Sequence, residues 1–180
     1  NIKGVFYYDY AKYSNLNGKI TSNSNFKNVY ISYAPDDLGN SMGAALYVNH
    51  VILNQKRDSS FNSSYLGPKF SDDDITKILD DQNISFETLN HRNETIAKLL
   101  SEKNVIAIFE GKSEFGERAL GNRSILADPR DENMKDKINS VIKYRESYRP
   151  FAPSVKFEDA EKYFEVPTGY ECFFMEKLFL

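Results

Sequence analysis

Between Gly116 and Ser124 the chain reads GERALGNRS, so two arginines, an asparagine and a serine fall among two glycines within nine residues, directly after the apolar run VIAIF. Glycines at 111, 116 and 121 let backbone amides turn inward and approach a ligand closely. Arg118 and Arg123 add planar forks that match the oxygens of phosphate or carboxylate. Many donors with few acceptors are the chemistry of an anion site. The same residues also suit a surface loop whose arginines pair with Glu110, Glu114 or Glu117, because surface pairs and glycine-rich loops are both common. The stretch is not a Walker loop, which needs GxxxxGK[ST], and it lacks the GxGxxG of dinucleotide-binding turns.

A second cluster of cations follows. The run DENMKDKINSVIKYRESY predicts a helix with Asp131 as N-cap and Met134, Ile138, Val141 and Ile142 as its inner stripe. Pro150 should end that helix, since proline lacks the amide the ladder needs and disfavours helical geometry in the residue before it. Lys143, Arg145 and Arg149 would then crowd its last turns, where the helix dipole favours positive charge. For Arg145 a surface pair with Glu146 or Glu132 is the plainer alternative. From Arg118 to Arg149 there are eight Lys/Arg against five Asp/Glu, inside a chain whose net charge is −3. A small anionic ligand fits such local surplus better than a long polyanion.

The elements that must hold these residues read as α/β. A strand is expected at 28–33, then a loop and a helix from about 39 on which Met42, Ala45, Leu46 and Asn49 recur. The Ser- and Asn-rich stretch NQKRDSSFNSSYLG suggests a boundary, with one region at 1–58 and another at 59–180. SDDDITKILDD carries a Ser71 N-cap with Asp74 at the capping-box position. NISFETL reads as a strand, NETIAKLLSEK as a helix capped by Asn93, and NVIAIFEG as a buried strand. After the loop and the run SILAD, the segment RPFAPSVKFEDAEKYF supplies an extended stretch and a short helix.

Composition bounds the rest. With 41% hydrophobic and 27% charged residues over 180 positions, the chain is that of a globular protein, and its longest apolar runs are too short to span a bilayer. The N-terminal stretch NIKGVFYYDYAKYS has neither a basic nor a continuous apolar region of a secretion signal, so a cytoplasmic setting is expected. The single cysteine, Cys172, excludes an internal disulfide within these residues, and its aromatic setting in ECFFM reads as buried packing.

The stretch EGKSEFGERALGNRSILADPRDENMKDKINSVIKYRESYRPFAPSV is similar, almost throughout, to the signature block of the O-carbamoyltransferase family, which includes the NodU nodulation protein and antibiotic carbamoyltransferases. The likeness extends through YLGPKFSDDDI and, more loosely, VYISYAPDDLGNSMGAAL, so it covers about residues 28–165. What the resemblance implies is a two-part enzyme: a Kae1-like domain of the actin/hexokinase type and a C-terminal YrdC-like domain, a twisted open sheet with helices. Residues 1–58 would be a strand-helix remnant of the first and 59–180 the second. The family's YrdC-like domain takes carbamoyl phosphate and ATP, with Mg2+, to carbamoyl adenylate, whose carbamoyl group then passes to a hydroxyl acceptor held in the other domain.

Carried over by motif, the resemblance makes Arg118, Lys143 and Arg149 the first catalytic candidates, and Asn122, Arg123, Ser124 and Arg145 further substrate or nucleotide ligands. Asp37 resembles the aspartate of the family's GDxG element, which with two histidines holds Fe2+ or another divalent ion in a complete Kae1-like domain. His50 and His91 do not form that histidine element, and Asp36 or Asp37 capping the following helix is the favoured reading here. Three positions depart from the pattern: Glu117 stands where GPRALG has proline, YYDYAKYSN occupies 7–15 in place of a glycine-rich loop, and ECFFMEKLFL replaces the usual continuation. The partners implied are a small hydroxyl acceptor and an N-terminal Kae1-like domain, with neither nucleic acid nor membrane. Two other readings share the residues: a threonylcarbamoyl-AMP synthase, and a non-catalytic nucleotide- or RNA-binding module.

Overall fold

The computed structural model describes residues 14–26, 29–57, 63–166 and 172–177. The chain divides into two compact units that are discontinuous in sequence. One comprises residues 1–66, 114–120 and 155–180, the other 67–113 and 121–154.

In the first unit, α1 (Ser14–Asn23) is followed by the turn of 3-10 helix Asp36–Gly39 and by α2 (Asn40–Tyr47), which continues as one wide turn of π-helix over Val48–Ile52. The strand expected at 28–33 has no ladder among the described residues. Residues 29–34 run irregularly instead, because an extended segment becomes a strand only when a neighbour pairs its amides. Tyr33 and Ala34 are nonetheless the buried apolar centre of this unit. The Tyr33 ring meets Phe174 edge-on at 5.3 Å, and its hydroxyl donates to Met42 Sδ at 2.8 Å. Asn17, 1% exposed, donates to the carbonyl of Glu176 at 2.8 Å. The helical stripe on α2 is half covered at Met42 alone, while Ala45, Leu46 and Asn49 are exposed. A further turn, Phe157–Asp159, leads into α6 (Ala160–Tyr163).

In the second unit, α3 (Asp72–Asp81) starts as its sequence dictates. The Ser71 hydroxyl accepts from Asp74 N at 3.1 Å and the Asp74 carboxylate accepts from Ser71 N at 3.0 Å. NISFETL is irregular rather than a strand. Helix α4 (Arg92–Ser101) begins one residue before the expected cap, with His91 in the cap position and no side-chain capping bond. Its neighbours are β1 (Ile106–Phe109) and β2 (Arg123–Leu126), paired antiparallel with Ile106 opposite Leu126 and Phe109 opposite Arg123. The class is thus α/β, yet the sheet among the described residues is a two-stranded antiparallel ladder and not a broad open sheet.

The last helix is shorter than its apolar period suggests. α5 (Met134–Lys137) widens into a π-turn at Ile138–Ile142 and stops at Lys143, which caps it. Tyr144 then takes φ +47°, a left-handed conformation uncommon for a bulky side chain. The helix therefore ends at Ile142, eight residues before Pro150. Asp131 does not cap it either; its carboxylate accepts from Asn133 N at 3.0 Å one turn earlier, and Asn133 holds the cap position. Met134 and Ile138 are buried as expected, while Val141 is 60% exposed. No helix among the described residues is long and apolar enough to cross a membrane.

Candidate functional site

The predicted site residues fall in both units. Arg118 belongs to the first, where the segment 114–120 is folded against Tyr33 and Ala34. Several contacts hold that segment. Phe115 N donates to Ser64 O at 2.7 Å, Leu120 N to Glu114 Oε1 at 2.7 Å, and the Tyr65 hydroxyl to Leu120 O at 2.7 Å. Gly116 has φ +121°, and a Cβ there would sit 2.6 Å from the Tyr33 carbonyl, so only glycine fits. Arg118 lines a shallow cleft with Ser32, Tyr33, Glu117, Phe174 and Glu176. Glu117 and Glu176 give that cleft acid as well as base.

The other loop residues are in the second unit. Asn122 Nδ2 donates to Lys112 O at 2.7 Å, and the Ser124 hydroxyl accepts from Gly121 N at 2.9 Å, which closes the turn into β2. Arg123 lies over the Phe109 ring, 3.6 Å from its centroid. It donates to the carbonyls of Glu110 at 2.5 Å, Asn122 at 2.9 Å and Gly111 at 3.4 Å. The carboxylate of Glu110 pairs instead with Arg92. Arg123 thus bonds that glutamate's backbone, a contact that sequence pairing rules do not foresee.

The helix-end cations separate into three roles. Lys143 is exposed, and its ammonium has no partner among the described residues. Arg149 Nε pairs with Glu146 Oε2 at 2.9 Å, and the Glu146 carboxyl is held below its usual range by its own backbone amide and then by that guanidinium. Arg145 makes its hydrogen bonds elsewhere than to Glu146 or Glu132, although its charge still helps to lower the Glu146 pKa. Its Nε donates to Asn139 Oδ1 at 2.7 Å and its Nη2 to Pro150 O at 3.3 Å, with Phe151 beneath it at 4.6 Å. Asn139 is the residue that sequence reasoning passed over. It sits one position off the apolar stripe, and a polar side chain inside the run KINSVI was the signal available.

Asp37 is exposed in the turn Asp36–Gly39, whose N-cap residue, Pro35, makes no side-chain capping bond. No group of three His, Cys, Asp or Glu with metal-binding geometry occurs among the described residues, and His50 Nδ1 lies against Gln55 O at 3.0 Å. The substituted segment 7–15 lies, up to residue 13, outside the described residues. Cys172 is exposed rather than buried. Its thiol donates to Glu176 Oε2 at 3.4 Å, and packing around the sulfur, followed by the charge of that carboxylate, pushes its pKa up, which is unfavourable for a nucleophile.

Comparison with known proteins bears on these same segments. The family described as carbamoyltransferase C-terminus matches residues 97–179. A protein of Synechocystis sp., described as uncharacterized, is 40% identical over 164 residues, covering 86% of this chain and 27% of its own length. Nodulation protein NolO of Bradyrhizobium diazoefficiens is 39% identical over 157 residues, 86% of this chain and 29% of that protein. The 3'-hydroxymethylcephem-O-carbamoyltransferase of Streptomyces clavuligerus is 30% identical over 140 residues, 77% and 25% of the two chains. The chain spans about a quarter of the length of the curated relatives it matches. With the donor-rich loop, the β1–β2 ladder and the basic helix end all inside the matched stretch, the chain belongs to the O-carbamoyltransferase family, of which it carries the C-terminal region.

Proposed function

We propose that this chain supplies the carbamoyl-activating part of an O-carbamoyltransferase that combines carbamoyl phosphate and ATP into carbamoyl adenylate for transfer to a hydroxyl acceptor. The observation that carries the reading is the match over residues 97–179, joined to the presence in that stretch of an exposed lysine ammonium at a helix end. Both substrates are polyanions that repel each other, so the reaction needs fixed positive charge where phosphate oxygens crowd. Arg118, Lys143 and Arg149 are assigned to phosphate and carbamoyl oxygens. Asn122, Arg123, Ser124 and Arg145 are assigned as further substrate or nucleotide ligands that also shape the loops presenting the first three. In this reading 59–180 is YrdC-like, 1–58 is the end of a Kae1-like domain, Mg2+ accompanies ATP, and the enzyme works in the cytoplasm.

The overall balance is carbamoyl phosphate, ATP and water giving carbamoyl adenylate, pyrophosphate and phosphate. No covalent enzyme intermediate is required, and the residues act by position and charge. The test is exchange of labelled pyrophosphate into ATP by this chain. Exchange that depends on carbamoyl phosphate is expected; exchange that needs threonine and bicarbonate instead would assign a threonylcarbamoyl-AMP synthase. Steeply salt-dependent RNA binding with no exchange under either condition would leave a binding module and overturn the enzymatic reading.

A further inference from the structure

The basic segment 143–150 leaves the helix through a left-handed residue and has no regular structure, so something must set its path. Asn139 is 1% exposed, among the least accessible side chains described, and it reaches that segment at several points. Its Oδ1 accepts from Arg145 Nε at 2.7 Å, its Nδ2 donates to Arg149 O at 3.1 Å and approaches Ser147 O at 3.5 Å, and its backbone carbonyl accepts from Arg145 N at 2.9 Å. Arg145 completes the arrangement through Pro150 O and the face of Phe151. A buried amide with both ends satisfied is costly to disturb, because removing it leaves charged and carbonyl partners without bonds in a place water reaches poorly.

We propose that Asn139 and Arg145 form a latch that fixes the segment 143–150, so that Asn139 is a positioning residue for Lys143 and Arg149. Asn139 touches no substrate in this scheme and acts through the backbone it holds. The split of its two polar atoms makes the roles separable: Oδ1 anchors the Arg145 side chain, and Nδ2 anchors the backbone around Arg149. An aspartate at this position keeps the first function and loses the second. An alanine loses both.

The proposal rests on the activity proposed above for its kinetic arm, and a structural arm keeps the two apart. In NMR spectra of the whole chain, the Arg145 Nε–H should exchange slowly with water in the wild type, remain protected in Asn139→Asp and lose protection in Asn139→Ala. Hydrogen exchange at the amides of 144–149 should quicken in both variants, while that of α3 stays unchanged as a control for folding. In carbamoyl phosphate-dependent pyrophosphate exchange, Asn139→Ala should raise the apparent KM for carbamoyl phosphate roughly tenfold to a hundredfold, a range expected for misplaced ligands. Asn139→Asp should fall between wild type and Asn139→Ala. Should Asn139→Ala leave the Arg145 signal and the segment's exchange as in wild type, the latch is overturned whatever the activity. Altered exchange in a protein with no carbamoyl phosphate-dependent activity supports the latch and removes only the assigned reaction.

Discussion

Phe109 and Arg123 stand opposite each other across the β1–β2 ladder, and the guanidinium of one covers the ring of the other at 3.6 Å while donating to three carbonyls of the loop between them. A single side chain thereby ties the strand ends to the turn at Gly111. Arg123→Lys keeps the charge but loses the fork, so it should lower unfolding stability by roughly 1–2 kcal/mol from lost stacking and charge-assisted bonds. Urea denaturation of the unliganded chain measures this, and an unchanged midpoint would show that the contact contributes nothing.

Lys143 presents the opposite case, an exposed cation with no partner among the described residues. Lys143→Ala should leave stability within about 0.5 kcal/mol. Carbamoyl phosphate-dependent pyrophosphate exchange should fall by on the order of a hundredfold, the scale of one lost electrostatic contact to developing charge. Equal activity in the variant removes Lys143 from the site.

Gly116 carries a steric prediction. With φ at +121° and the Tyr33 carbonyl 2.6 Å from where a Cβ would lie, Gly116→Ala should destabilise the first unit by about 1–3 kcal/mol. A thermal melt of the variant that overlays the wild-type curve would contradict the geometry.

Asp128 sets an acid limit. Arg130 hydrogen-bonds its carboxylate from both side chain and backbone, with Lys103 adding a weaker attraction, and the pKa is lowered from its ordinary value to about 2. Since the folded pKa is depressed, the stabilisation is complete above about pH 4 and is lost as pH falls from there toward 2. Asp128→Asn should lower the melting temperature at pH 7 and shrink the difference from wild type as the pH drops through that window. A constant difference between the two proteins across pH 2–7 would exclude this carboxylate as the source.

The capping box at Ser71 and Asp74 and the apolar seat of Met134 and Ile138 were legible because each depends on residues near in sequence, while β1 forms where a strand is expected but is not the buried strand expected, with Phe109 56% exposed. Local hydrogen bonds and a repeating apolar face carry their own instructions. The strands expected at 28–33 and 83–89 were not, since an extended run with alternating residues lacks meaning until a partner edge exists, and the described residues offer none.

The amino-acid sequence by itself determined the family, the cluster of cations between residues 118 and 149, and the short elements around it. Only the tertiary structure decided what each cation does. Arg123 and Arg145 spend their donors on carbonyls, a ring and a buried asparagine, whereas Lys143 is left facing solvent. Charge is a property of the residue and can be counted in a string. The partner that satisfies it is chosen by backbone brought close in space, and beyond the helix ending at Ile142 the chain instead meets Asn139, which bonds Arg145 Nε and Arg149 O.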